Sequence, residues 1–254
     1  ANALVRMDDR IKAGEACAQV WTRRGPDEVG RKYGEMAIRQ YSVLATADGM
    51  VRAATLADDM IAKLPAAEFA RHVGWQGFSE WRRASQWAKA NATGSAMLAK
   101  NIVGDPRATR DLHMLMAENY ASLGQYANAV DSYKKARAIT DNAYVHHLIG
   151  VRFYQSGAKA TELEPVVNEY VQKYPQRPDR LLLQSYLAAA VLRDGDKPKA
   201  LGMIQALLPV DAASNNSATV FVQQNGIEPA QLAAIEAALR AAIAQNKDQA
   251  AYLR

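Results

Sequence analysis

A single cysteine, Cys17, stands in 254 residues, so no intrachain disulfide can form and the redox compartment stays open. It sits among Ala16, Ala18 and Val20, where a buried small hydrophobe is expected rather than a nucleophile. No apolar run approaches the roughly 18 residues of a membrane-spanning helix. No HExxH, GxSxG or GxxxxGKS/T occurs, and no GxGxxG follows a strand, so those routes to metal, acyl-transfer and nucleotide chemistry have no support. Of four histidines, only His146 and His147 are close in sequence. Adjacent side chains on a helix point about 100° apart, which makes a shared ion difficult. Glu80, beside Trp81, is the one carboxylate in an aromatic setting, and it reads as an exposed acid at a helix start. No catalytic residue, cofactor site or metal ligand is expected.

The sequence has few β-rich segments, much alanine and recurrent amphipathic spacing, with 49% hydrophobic and 22% charged residues. That balance excludes wholesale disorder and points to an all-α fold. The net charge of +5 lies entirely in the first part: 17 Lys+Arg face 12 Asp+Glu in residues 1–110, against 14 and 14 in residues 111–254. A solvated helix surface is the plain reading. An acidic protein or an anionic surface is the alternative, and no dense basic run or nucleic-acid motif is present.

In chain order, helices are expected over about 3–24, 26–46 with Pro26 at its first position, and 50–64 after a turn at Asp48-Gly49. A short helix over 66–73 is then interrupted by Gly74 to Trp81, and helices follow over about 79–90 and 93–103. Gly104-Asp105-Pro106 separates this half from the next. From Arg110 to Asp141 the residues describe a helix, a turn at Gly124-Gln125 and a second helix packed back on it. Gly157 comes 33 residues after Gly124, and Gly195 comes 38 after Gly157. In the second of these units Pro165 places the helix start near Glu164, and a one-residue insertion would turn Leu163, Val167 and Tyr170 inward. Residues 211–217 form a polar loop, and an amphipathic helix from about Pro229 to 250 follows a short one over 218–225.

His113, Met116, Ala117 and Tyr120, with Ala129, Tyr133 and Ala136, follow the spacing of a tetratricopeptide repeat (TPR). His146, Ile149, Gly150 and Phe153 repeat it, as do Gln184, Leu187, Ala188 and Val191 with Ala200, Ile204 and Leu207. The stretch over about 107–210 therefore resembles the TPR family. That resemblance implies a right-handed α-solenoid of antiparallel hairpins: an irregular helical region at 1–106, three repeats at 107–210, and a loop with capping helices at 211–254.

It further implies work in holding other proteins, along a concave groove lined by first helices. The groove positions are Asp111, Met114, Glu118, Ala121 and Ser122; Tyr144, His147, Val151, Tyr154 and Gln155; and Leu182, Ser185, Ala189, Leu192 and Arg193. The Lys and Asn that clamp a C-terminal carboxylate in the best-known TPR groove are replaced by Met114 and Glu118, His147 and Val151, Ser185 and Ala189. Such a clamp is disfavoured, and side-chain packing on a helix or extended peptide is expected instead. The segment with Trp75, Phe78, Trp81, Arg82, Arg83 and Trp87 is a second candidate contact surface, with internal packing as its alternative.

The expected function is a non-enzymatic scaffold or adaptor subunit in a bacterial, cell-envelope hetero-complex. Alternatives are a helical module of a cell-wall enzyme complex, or anionic-surface binding through the basic half. A start at Ala1 suits an exported, periplasmic protein, although Met excision or trimming leaves the same end and a cytoplasmic protein is the alternative.

Overall fold

The computed structural model describes residues 2–65 and 68–211, together with Ala233, Ala237 and Arg240. The described residues form eleven helices and no strand. The chain divides into two compact units, Ala1–Thr140 and Asp141–Arg254, so the expected boundary at 106 lies inside the first.

The first unit holds α1 (Asn2–Arg24), α2 (Glu28–Val43), α3 (Ala47–Lys63), α4 (Glu68–Arg83), α5 (Trp87–Ala99), α6 (Pro106–Ser122) and α7 (Tyr126–Ile139), and each packs on the next. Trp21, Ile38, Met60, Phe78, Trp81, Met97 and Leu112 fill its core. The second unit holds α8 (Ala143–Gln155), α9 (Ala160–Lys173), α10 (Arg180–Arg193) and α11 (Lys197–Asp211), built on Leu163, Val167, Tyr170, Leu183 and Leu187. Here α8 also touches α10, which is the contact between successive first helices that a stacked repeat needs. The all-α hairpin architecture is as expected. The capping helix near Pro229 lies outside the described residues, except that Ala233, Ala237 and Arg240 are helical and exposed.

One turn recurs and sets the register. Gly124 N–H donates to Ala121 O and Gln125 N–H to Tyr120 O, with Gly124 at φ 72°. The same pair of bonds closes α8 at Gly157 and α10 at Gly195. It also closes α4, where Ser85 takes the left-handed position at φ 55°. A residue in that conformation ends a helix by satisfying its last carbonyls, and glycine is its usual occupant. Counting back from Trp81, as from Tyr120, Phe153 and Val191, residues three, four and seven earlier face inward. In α4 these are Phe78, Gly77 and Gly74, all buried. In α2 the series behind Tyr41 is Ile38, Ala37 and Gly34, all buried, with Ala45 at φ 53° in the turn. Thus α2–α3 and α4–α5 repeat the hairpin of α6–α7, and the first half is regular where irregularity was expected.

Several expected boundaries move, each for a local reason. Gly74 to Trp81 is helical throughout, because the glycines let neighbours approach: a Cβ on Gly77 would lie 2.7 Å from Ala57 Cβ, and one on Gly74 would lie 3.0 Å from Met97. Gly49 is likewise a contact glycine, since its Cβ would lie 2.6 Å from Tyr41 O. The helix around it starts at Ala47, with Thr46 as the cap. Asp27, not Pro26, opens α2 by accepting the Gly30 N–H at 2.7 Å. In the second unit α9 starts at Ala160 rather than Glu164. Glu162 accepts the Lys159 N–H there, so Pro165 sits in the second turn. The longer turn brings Leu163, Val167 and Tyr170 to 0% exposure, as the inserted residue implied.

Candidate functional site

In this register α2, α4 and α6 are the first helices of the first unit, and α8 and α10 those of the second. Met114 on α6 is half-exposed. Glu118, one turn on, accepts from Arg82 Nη2 at 2.8 Å, while Arg82 Nε donates to Asn119 Oδ1 at 2.9 Å. The two first helices α4 and α6 are thus tied by one arginine across their outer edge. Beside that tie lies a cavity of about 360 Å³ lined by Phe78, Ser79, Arg82, Arg83, Trp87 and Leu115.

Two of the candidate aromatics pack against the core of the first unit. Trp81 is 3% exposed, and its indole N–H donates to Asp58 Oδ2 at 2.7 Å. Trp75 is half-buried, packed edge-on to Phe78, with its N–H on Val103 O at 3.1 Å. Trp81 is thus a core side chain and Trp75 is partly buried against the same core, while Trp87 is the tryptophan of the segment that lines the cavity. Glu80 is also corrected: it is 7% exposed within α4, and both its oxygens accept from Arg83 Nη1 at 2.7 and 2.8 Å.

On α8, Tyr144 stands 55% exposed, and Val151 lies half-buried two turns further on. Tyr154 stacks on Tyr186 of α10, with centroids 4.5 Å apart and planes 6° apart, and the Arg193 guanidinium lies 5.7 Å from the Tyr154 centroid. Arg193 is anchored by the Ala158 carbonyl. Tyr154 and Arg193 are therefore brought together, and Tyr186 joins them without having been singled out from the sequence. Its signal was an aromatic on the inner side of a first helix, indistinguishable there from core.

His147 is less open than its position implied, with a side chain 15% exposed and its ring 6.1 Å from that of Tyr170. Burial pushes its imidazole below the ordinary histidine range, against the pull of Asp179 at 3.9 Å and with a push from Arg177. His146 is fully buried, as its repeat position implied. Ser185 and Ala189 on α10 are buried, so two expected groove positions are closed.

Among the described residues no group of three or more His, Cys, Asp or Glu is placed to hold a metal ion. No helix among them is long and apolar enough to cross a membrane. Cys17 packs against the first core, and burial raises its thiol above the usual value.

No protein-family model matches the sequence, and no curated protein matches it. Similar solved structures are TPR-like repeat proteins. A Podosopora anserina putative kinesin light chain with nearly identical TPR-like repeats is 14% identical at a TM-score of 0.46, covering 75% of this chain and 95% of that one. BtubC (BKLC) from P. vanneervenii is 14% identical at a TM-score of 0.43, over 90% of this chain and 94% of that one. The P58(IPK) TPR domain is 12% identical at a TM-score of 0.27, over 97% and 86%. The repeat architecture is carried by the chain's own turns and burial.

Proposed function

We propose that the chain is a non-enzymatic scaffold or adaptor that holds a segment of another protein against its first-helix faces. Tyr144 carries this reading. It is a tyrosine 55% exposed on a first helix, in line with Val151 and the stacked Tyr154–Tyr186 pair. A rigid aromatic with a polar tip, set in a row of half-exposed apolar side chains, is the composition of a protein-binding hot spot. Charge is sparse along that row, which favours a helix or extended peptide held by side-chain packing.

The proposal extends to a hetero-complex of the bacterial cell envelope, and fractionation of the native source into periplasm and cytoplasm tests that placement. The binding itself is tested by mild affinity purification with mass spectrometry, comparing the wild type with Tyr144→Asp. A stoichiometric partner retained by the wild type and lost with a normally helical variant supports the reading. A partner kept equally by both proteins removes Tyr144 from the interface, and a wild type that elutes alone removes the scaffold.

A further inference from the structure

Of the seven polar or charged side chains buried among the described residues, three serve two neighbouring arginines: Glu80, Asn91 and Asn119. Asn119 on α6 accepts from Arg82 Nε at 2.9 Å, and its own amide donates to Asn91 Oδ1 on α5 at 2.9 Å. Glu80 accepts from Arg83 Nη1 with both oxygens. Burying such groups is costly unless each is satisfied, and a satisfied chain of them is rigid. The Arg82 chain links α4, α5 and α6, so it helps to hold helices together. The Glu80–Arg83 pair does not, since both residues lie on α4, three apart. What it fixes is the direction of one guanidinium.

Both arginines line the cavity of about 360 Å³ between α4, the start of α5 and α6, together with Phe78, Ser79, Trp87 and Leu115. That volume falls at the small end of ligand pockets, about 300–1,000 Å³. The bonds just named, with that from Arg82 Nη2 to Glu118, leave Arg82 Nη1 and Arg83 Nε and Nη2 without a partner among the described residues. The Ser79 hydroxyl and the Trp87 indole N–H have none there either. The lining side chains thus offer donors, and the hydroxyl alone can also accept. Phe78, Leu115 and the Trp87 ring supply apolar surface. Charge is balanced locally, with Glu118 at 2.8 Å from Arg82 and Glu80 at 2.7 Å from Arg83. Directed N–H groups without surplus positive charge suit a singly charged, planar anion better than a phosphate dianion.

We propose that this cavity binds a small free carboxylic acid with an aromatic or compact apolar body. Its carboxylate takes the spare N–H groups of Arg82 and Arg83, and its body lies against Phe78, Trp87 and Leu115. The buried Asn91–Asn119 pair and Glu80 act behind the arginines, holding each guanidinium in place before the acid arrives, so little order has to be created on binding. The site lies wholly within the first unit and needs nothing from the α8 face, so it goes beyond the protein-binding reading.

The test is isothermal titration calorimetry of the full chain with phenylacetate, beside phenylacetamide and phenyl phosphate. Phenylacetate should bind saturably at one site, and the other two about tenfold more weakly or worse, the effect of losing a hydrogen bond to a charged group. Glu80→Gln with Arg83→Gln keeps a neutral hydrogen-bonded pair and removes one guanidinium, so it should weaken phenylacetate about tenfold while the unfolding midpoint stays close to the wild type. Ser79 is exposed on α4, and Ser79→Leu fills the cavity while leaving both arginines in place. It should abolish binding with circular dichroism unchanged. No binding, equal affinity for acid and amide, or affinity that neither variant alters overturns the proposal. A preference for phenyl phosphate overturns the carboxylate. Tighter binding of a short peptide ending in phenylalanine with a free C-terminus also overturns it, since the cavity then serves the chain end of a partner protein. Tyr144→Asp should leave phenylacetate binding intact, so failure of this site and failure of the α8 face are separately visible.

Discussion

Asp58 and Asp59 are neighbours on α3, yet they serve two tryptophans on opposite sides. Asp58 accepts from Trp81 at 2.7 Å and from Thr93 at 2.6 Å, while Asp59 accepts from Trp21 at 2.7 Å. Burial pushes the Asp58 carboxyl above its usual value, and the bonds from Thr93 and Trp81 with the Lys89 charge offset this only in part. A carboxyl whose folded pKa is raised binds its proton better in the native state. Its contribution to stability is fully present below the unfolded value and is lost as pH rises through the folded one. The wild type should therefore lose stability relative to Asp58→Asn as pH rises above the ordinary aspartate value of about 4 in urea titrations. A pH-independent difference would show that Asp58 titrates normally. Tyr170 carries the opposite kind of partner. Burial, then its bond to Asp179 at 2.6 Å, push its hydroxyl up to about 12, so it stays a neutral donor to a carboxylate. Tyr170→Phe removes a hydrogen bond to a charged group and should cost about 1.5–3 kcal/mol in urea unfolding. A loss below half a unit would mean that Arg177 alone satisfies Asp179.

The recurring turn explains which helices the sequence revealed. Gly124, Gly157 and Gly195 mark their turns openly, and the three later hairpins were legible from them and from the small and aromatic residues at fixed distances. The α4–α5 hairpin uses the same backbone with Ser85 in glycine's place, while its glycines, Gly74 and Gly77, sit inside the helix as contact points. Turn chemistry and packing chemistry exchanged residues there, so sequence reading placed the break a full two turns early. The candidate contact residues divided in the same way. Tyr144 and Tyr154 follow from repeat position alone. The inward bonds of Trp75 and Trp81 were not legible, because their partners, Val103 O and Asp58, are 28 and 23 residues away and carry no local mark. Two substitutions measure this exchange. Ser85→Gly removes a side chain from the left-handed region and should stabilise by about 1 kcal/mol. Gly77→Ala places a methyl group 2.7 Å from Ala57 Cβ and should destabilise by about 1–3 kcal/mol. Thermal unfolding with opposite shifts for the two supports the assignment. A destabilising Ser85→Gly would refute the shared turn.

At the scale of the molecule, stability follows from who touches whom. In the first unit each helix packs chiefly on the helices before and after it, so a defect should weaken its neighbours and fade with distance along the array. Gly77→Ala strikes the contact between α3 and α4. Hydrogen exchange should then accelerate most in α3, α4 and α5, and least in α7, which packs on α6 alone among its well-contacted neighbours. Uniform acceleration across the unit would instead mean that it unfolds as a single cooperative body. In that case the first unit would act as one rigid body rather than a chain of coupled hairpins, and a partner bound at any one of its helices would reach the others with undiminished effect.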